Sequence, residues 1–151
     1  MENSIKEEIK KKYSKIVVSG NDDCCCMPGE CDSGDSPIDA TKLIGYDQKE
    51  LESIPQEAIL GVGCGAPINH TQLKEGETVV DLGSGAGIDI FFAARKVLDS
   101  GKAIGIDMTD DMLKKSRENA KKGNYPNVEF KKGDIEDNIP TLMFHGDLDL
   151  I

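Results

Sequence analysis

Apolar residues return every three or four positions near the N-terminus of the chain, among lysines and glutamates. The positions of this apolar stripe are Ile5, Ile9, Tyr13, Ile16 and Val17. A repeat of about 3.6 residues is typical of an amphipathic helix. The pattern therefore predicts a helix over residues 3–17 that docks on the main domain by one face.

Residues 20–40 lack such a repeat and are rich in Gly, Asp, Ser and Pro. This composition predicts a mobile loop, and the loop carries four of the five cysteines. A short helix is expected within residues 47–58. Asp47 can cap its first turn, and Pro55 disfavours helical backbone in the residue before it.

From Glu77 onward, short β-branched segments alternate with helical ones. The predicted strands are TVVDLG (78–83), KAIGIDMT (102–109), VEFKKGD (128–134) and DLDLI (147–151). The predicted helices cover residues 87–98 and a segment that begins at Thr109 or Asp110 and ends at Gly123. Strands that alternate with helices through short links form a parallel, doubly wound sheet. The predicted fold class is therefore α/β, with helices flanking the sheet.

A glycine-rich turn with the pattern D-x-G-x-G-x-G follows the first predicted strand. Its residues are Asp81, Gly83, Ser84, Gly85, Gly87 and, at the start of the next helix, Asp89. Glycines allow a sharp turn and a close approach of a ligand to the backbone. Two carboxylates would repel a pyrophosphate, whereas they would attract a ligand with an ammonium group and a positively charged sulfur. The turn therefore predicts S-adenosylmethionine as the ligand.

Acidic residues also end the next two predicted strands. Asp107 follows Gly83 by 24 residues, where a carboxylate can accept hydrogen bonds from ribose hydroxyls, and Met108 can pack on the adenine. Asp134 is expected to reach the adenine amino group, with Ile135 covering the ring. The alternative is that the two aspartates only cap the segments that follow them.

Charge and cysteine content narrow the range of partners. The 151 residues carry a formal net charge of -10, and such a polyanion lacks the basic surface that binds nucleic acid or anionic membranes. A small-molecule substrate is therefore expected, with no nucleic acid and no membrane as partner. No signal peptide or membrane-spanning apolar run is visible. The cysteines then indicate a cytoplasmic location, where thiols serve as ligands or nucleophiles.

Residues 43–138 resemble the arsenite S-adenosylmethionine methyltransferases. The resemblance rests on GCG at residues 63–65, about 17 residues before DLGSGAG, and on GIDMT further on. It implies a Rossmann-like class I methyltransferase sheet with strand order 3-2-1-4. Arsenite or its thiol conjugate is the implied substrate, with Cys64 as the catalytic arsenic ligand and Cys25 and Cys26 as further ligands. The implied cofactor contacts are Asp81, Gly83, Gly85, Asp107, Met108, Asp134 and Ile135.

The chain departs from this family after the third strand, because no cysteine follows the predicted fourth strand. We therefore expect an N-terminal helix with a cysteine-rich segment (1–42), a cofactor-binding domain truncated at the fourth strand (43–151), and either a homodimer or a missing C-terminal half. Two alternatives stay open: a class I methyltransferase for another small molecule, and a thiol-rich module that binds arsenic or a soft metal without turnover. Cys64 could also be a small buried residue in a tight turn.

Overall fold

A computed structural model describes residues 2–19, 36–63, 65–136 and 148–150. The elements in chain order are α1 (Glu2–Ser19), α2 (Pro37–Leu43), α3 (Gln48–Leu51), two 3-10 helices (Gln56–Ala58 and Pro67–His70), β1 (Thr78–Leu82), α4 (Ile88–Val97), β2 (Lys102–Asp107), α5 (Asp110–Lys122), β3 (Val128–Lys132) and β4 (Leu148–Leu150). Residues 20–35 of the predicted loop and all the cysteines, including Cys25, Cys26 and Cys64, lie outside the described residues.

The four strands form one parallel sheet in the order β3-β2-β1-β4, which is the order expected above. β1 pairs with β2 so that Asp81 lies beside Gly105, and β2 pairs with β3 so that Asp107 lies beside Lys132. In a parallel sheet the carboxyl ends of all the strands meet at the same edge. The residues that follow the strands therefore come together there.

The helices pack on the sheet through the apolar side chains of the sequence pattern. α4 contacts β1 and β2 and buries Ile90, Phe91 and Val97 completely. The ring of Phe91 lies edge-on to that of Phe130 in β3, with their centroids 6.0 Å apart, a favourable arrangement of aromatic rings. α1 packs on α5 and buries Ile16, so the expected docking helix is present.

Three of the helix ends lie where the sequence places them. α3 begins after Asp47, whose Oδ1 accepts a hydrogen bond from the backbone N–H of Lys49 at 2.8 Å. α5 begins after Thr109 and has Gly123 as its C-terminal cap residue. Asp47 therefore starts α3 through capping chemistry that is readable in the sequence. Thr109 makes no side-chain capping hydrogen bond to α5, and α3 ends at Leu51, well before Pro55.

α2 corrects the expectation of a loop that continues to residue 40. Ser36 caps this helix, since its Oγ accepts a hydrogen bond from the backbone N–H of Asp39 at 3.3 Å. Pro37 occupies the first turn, where a missing N–H breaks no intrahelical bond. Thr41 is buried, and its hydroxyl donates to the Pro37 carbonyl at 2.7 Å. The expectation is wrong for residues 37–40 because the cap, rather than an apolar repeat, specifies so short a helix.

We predict that Gly105→Ala destabilises the fold. A Cβ at this position would lie 2.6 Å from the ring of Phe130 and 2.6 Å from Ser84 Oγ. Overpacking of this kind typically costs about 1–3 kcal/mol, so the free energy of unfolding should fall by about that amount. Gly65→Ala is the control, because no described atom lies within 4 Å of its Cβ position. Urea unfolding measures both variants, and equal stability of the two would contradict the prediction.

Candidate functional site

The glycine-rich turn after β1 is hydrogen-bonded to the end of β2. The backbone N–H groups of Gly83 and Ser84 donate to the carbonyl of Ile106 at 2.8 and 3.0 Å. The next N–H, of Gly85, donates to Asp107 Oδ2 at 2.9 Å. Gly83 and Gly85 both have positive φ angles, 86° and 52°, which side chains other than glycine rarely allow. The turn is therefore fixed in place by the neighbouring strand.

A cavity of about 830 Å³ opens at this edge of the sheet. The predicted cofactor residues that line it are Asp81, Gly83, Ser84, Gly85, Asp89, Asp107, Met108, Asp134 and Ile135. Gly87 is not among the lining residues; a Cβ there would lie 2.9 Å from the rings of Phe91 and Phe130. The structure thus brings together all the predicted cofactor residues except Gly87, which faces the core.

The acidic side of the cavity is formed by Asp81 and Asp89. Asp81 is only 8% exposed. Burial, and then the negative charges of Asp89 and Asp107, raises the pKa of Asp81 to about 8. Burial also raises the pKa of Asp89 to about 6, against the opposing effect of a hydrogen bond from Tyr46. Both carboxylates are therefore held where a positively charged ligand group would stabilise their ionised forms.

Tyr46 is a residue of this site that the sequence analysis did not single out. Its hydroxyl lies 2.8 Å from both Asp89 Oδ1 and Oδ2 and donates to that carboxylate. Its ring stacks on Phe92, with the centroids 5.7 Å apart. Burial and the charge of Asp89 raise the pKa of Tyr46, so its hydroxyl stays a donor. No spacing rule connects it to Asp89, because the two residues are 43 positions apart.

Asp107 shapes the middle of the cavity. In addition to the bond from Gly85, its Oδ1 accepts a hydrogen bond from the backbone N–H of Thr109 at 2.8 Å. Asp107 therefore does cap the segment that follows it, as the alternative interpretation expects. A carboxylate offers about four lone-pair positions, so these two bonds leave room for further donors.

Asp134 and Ile135 form the far wall, beyond the end of β3. Asp134 Oδ2 lies 2.9 Å from the Nζ of Lys6 in α1. The hydrogen bond from Lys6 lowers the pKa of Asp134 below its usual value. Ile135 is 44% exposed, although it borders the cavity. Ser84, in the glycine-rich turn, has a buried hydroxyl. Its Oγ makes no hydrogen bond in the described part of the chain.

The geometry fits S-adenosylmethionine. Small-molecule sites typically occupy about 300–1,000 Å³, and this cavity has about 830 Å³. A Cβ added at Gly83 or Gly85 would come no closer than 3.9 Å to the nearest described atoms outside the turn. The backbone of the turn therefore borders open space that a ligand can approach. The carboxylates around it match a cation better than a pyrophosphate.

Comparison with known proteins identifies the family. A family model described as "Methyltransferase domain" matches residues 73–151. The chain belongs to the methyltransferase-domain family. This membership confirms the expected Rossmann-like fold class and supports S-adenosylmethionine as the cofactor.

Two curated relatives of this methyltransferase-domain protein are arsenite methyltransferases. That of Halobacterium salinarum is 41% identical over 137 residues, covering 86% of this chain and 35% of the relative. That of Aquipseudomonas alcaligenes is 29% identical over 153 residues, covering 96% of this chain and 40% of the relative. The chain thus spans less than half the length of either protein.

A solved RNA methyltransferase from Salinibacter ruber, in complex with S-adenosyl-L-homocysteine, is also similar. It is 34% identical, with a TM-score of 0.42, over 46% of this chain and 45% of that chain. The exclusion of nucleic acid as a partner of the methyltransferase domain stays a prediction.

Within the described ranges, no helix is both long enough and apolar enough to cross a membrane.

We predict that Asp81 makes the fold less stable as the pH rises. Its pKa is about 8 in the folded chain but about 3.9 in an unfolded one. Between these values the folded state keeps a proton that the unfolded state loses, so stability falls with rising pH across this window. Asp89 has a pKa of about 6 in the folded chain, so below about pH 6 it also makes the fold less stable as the pH rises.

Asp81→Asn should therefore flatten the loss of stability between about pH 6 and 8, since it removes the group with the higher pKa. Urea unfolding at a series of pH values measures this slope. The matched control is Asp99→Asn, at an exposed position, which should keep the wild-type slope. An Asp81→Asn variant that also kept it would show that Asp81 is ionised in the folded protein.

Proposed function

We propose that this chain is the cofactor-binding part of an arsenite methyltransferase, which transfers methyl groups from S-adenosylmethionine to trivalent arsenic. The observation that carries the proposal is the cavity at the carboxyl ends of β1, β2 and β3, where a glycine turn and acidic side chains meet. The identity of 41% to the Halobacterium salinarum protein supports the choice of arsenic as the substrate.

In this proposal the cofactor lies along the edge of the sheet. Asp107 accepts hydrogen bonds from the ribose hydroxyls, as such carboxylates do in related folds. Met108 and Ile135 enclose the adenine, and Asp134 accepts from its amino group. When bound, S-adenosylmethionine supplies a methyl group on a positively charged sulfur.

The glycine turn and the acidic side of the cavity hold the other end of the cofactor. Gly83, Ser84 and Gly85 present backbone to it, and Gly87 shapes the turn. Asp81 and Asp89 hold the ammonium group, and Tyr46 keeps the carboxylate of Asp89 oriented. A bound cation would favour the ionised form of both carboxylates, which lowers their raised pKa values.

Cys64 is the proposed catalytic arsenic ligand, with Cys25 and Cys26 as further ligands. Trivalent arsenic is a soft centre and by analogy with soft metals prefers thiolates. Gly63 and Gly65, the neighbours of Cys64 in sequence, both line the cavity, which supports this choice. Arsenic bound to thiolates keeps a lone pair and carries no proton, so the transfer needs no general base. The chain's task is to place arsenic in line with the methyl group.

The remaining parts of the proposal concern partners, location and domains. A small-molecule substrate, rather than nucleic acid, fits the net charge of -10, and the thiols fit the reducing cytoplasm. The N-terminal segment 1–42 and the cofactor-binding domain 43–151 form the proposed division. Since parallel sheets expose their outer strands unless these are covered, we also propose association with a second copy or with a further C-terminal part.

We predict that Asp107→Asn weakens the binding of S-adenosylmethionine. The substitution removes the charge that would accept hydrogen bonds from the ribose, and each such bond is worth about 1.5–3 kcal/mol. The dissociation constant from titration calorimetry should therefore rise at least about tenfold. Asp99→Asn is the control for the general effect of removing an acidic group. Wild-type protein that bound no S-adenosylmethionine would contradict the proposed function.

We also predict that Cys64→Ser weakens arsenite binding, because a hydroxyl is a poor donor to a soft centre. The measurement is equilibrium binding of arsenite to the reduced protein, with Cys31→Ser as the matched control in the N-terminal cluster. Methylation of arsenite in the presence of S-adenosylmethionine should fall in the same variant. Equal affinity of wild type and Cys64→Ser would return Cys64 to a structural role.

A further inference from the structure

Helix α1 forms one wall of the cavity, although it is remote in sequence from the strands. Ile5, Ile9 and Tyr13 of α1 all line the cavity. They are 61%, 38% and 37% exposed, so much of their apolar surface remains accessible. Apolar side chains that face a cavity gain burial when a ligand fills it, at about 25 cal/mol per Å². This wall is therefore incomplete without a ligand.

The two ends of α1 are held by different kinds of contact. α1 packs on α5, and Ile16, in the C-terminal half of α1, is buried. In its N-terminal half, Lys6 Nζ lies 2.9 Å from Asp134 Oδ2 and 2.7 Å from Glu136 Oε2. Both acids follow β3 directly, so these ion pairs connect α1 to the far wall of the cavity.

The two ion pairs of Lys6 favour the observed position of the N-terminal half of α1, but they are too weak to keep it there permanently. The side chains of Lys6 and Asp134 are 29% and 24% exposed, and that of Glu136 is 73% exposed. Exposed ion pairs contribute about 0.2–1 kcal/mol each. A contact of this size breaks and reforms readily, whereas the packed end at Ile16 does not.

We propose that α1 is a lid of the cofactor cavity and that Lys6 is the positioning residue that holds this lid closed over the bound adenosyl group. This inference rests on the proposed function. Asp134 can keep its bond to Lys6 and still accept from an adenine amino group, because a carboxylate has several acceptor positions. The ligand in turn covers Ile5 and Ile9. Closure of the lid and binding of the cofactor therefore favour one another.

The first test needs no ligand. Hydrogen–deuterium exchange of the full chain compares wild type with Lys6→Met, which removes the charge but keeps an unbranched side chain. Amides in the N-terminal half of α1 should exchange faster in the variant, while those near Ile16 change less. Lys12→Met, at an exposed position of the same helix, is the matched control and should behave as wild type. Identical exchange in all three proteins would overturn the role of Lys6.

The second test uses S-adenosylhomocysteine as the probe. It should protect the α1 amides of the wild type, and radiolabelled probe should dissociate about two- to thirtyfold faster from Lys6→Met, from the size of the two ion pairs. Lys6→Arg, which keeps the positive charge, should restore wild-type dissociation. Binding without protection of α1 would overturn the lid while leaving the proposed function intact. A wild type that bound no probe would overturn both.

Discussion

The hydrogen bonds between the turn after β1 and the end of β2 are the interaction on which the site depends. Consecutive N–H groups of Gly83, Ser84 and Gly85 all donate to the last residues of β2, the final one to the side chain of Asp107. Because Asp107 takes part in this connection, the carboxylate that marks the end of β2 is fixed in direction before any ligand arrives. Sites that are organised in advance lose less free energy on ordering when they bind. The same bonds hold the turn open toward the cavity.

A second consequence is electrostatic. The parallel pairing of β1 with β2 places Asp81 near Asp107, and the turn returns the chain so that Asp89 also lies close. Burial is the main cause of the raised pKa of Asp81, and repulsion from the carboxylates of Asp89 and Asp107 adds to it. A positively charged group of a ligand would relieve this repulsion between carboxylates, whereas a pyrophosphate would increase it. Selection of a cationic ligand by this chain therefore follows from how the strands pair and not from one specific contact.

The sequence predicts the parts of this fold that short-range rules control. β1, β2, β3 and α4 follow from apolar repeats bounded by glycine, and the acidic residues at the strand ends follow from the fold class. Tyr46 and Lys6 could not be found in this way, because their partners Asp89 and Asp134 lie 43 and 128 positions away. Contacts at such distances depend on how α1 and the segment before β1 pack on the sheet, and an apolar repeat does not specify the partner. α2 was not predicted for a different reason: a helix of 7 residues is too short to show a clear apolar repeat.

The proposed lid and two of the proposed arsenic ligands, Cys25 and Cys26, belong to the same N-terminal part of the chain. Ser19 ends α1, and Cys25 follows it by six residues, a span of at most about 22 Å in extended backbone. Because this end of α1 is packed through Ile16, it limits where the two thiols can lie whether or not the cofactor is bound. Transfer without a general base depends on positioning alone, and effective molarity is highest when both reactants are held. A connection to the packed end of α1 would therefore restrict Cys25 and Cys26 to a limited volume around that end of the helix, which reduces the search for a productive position.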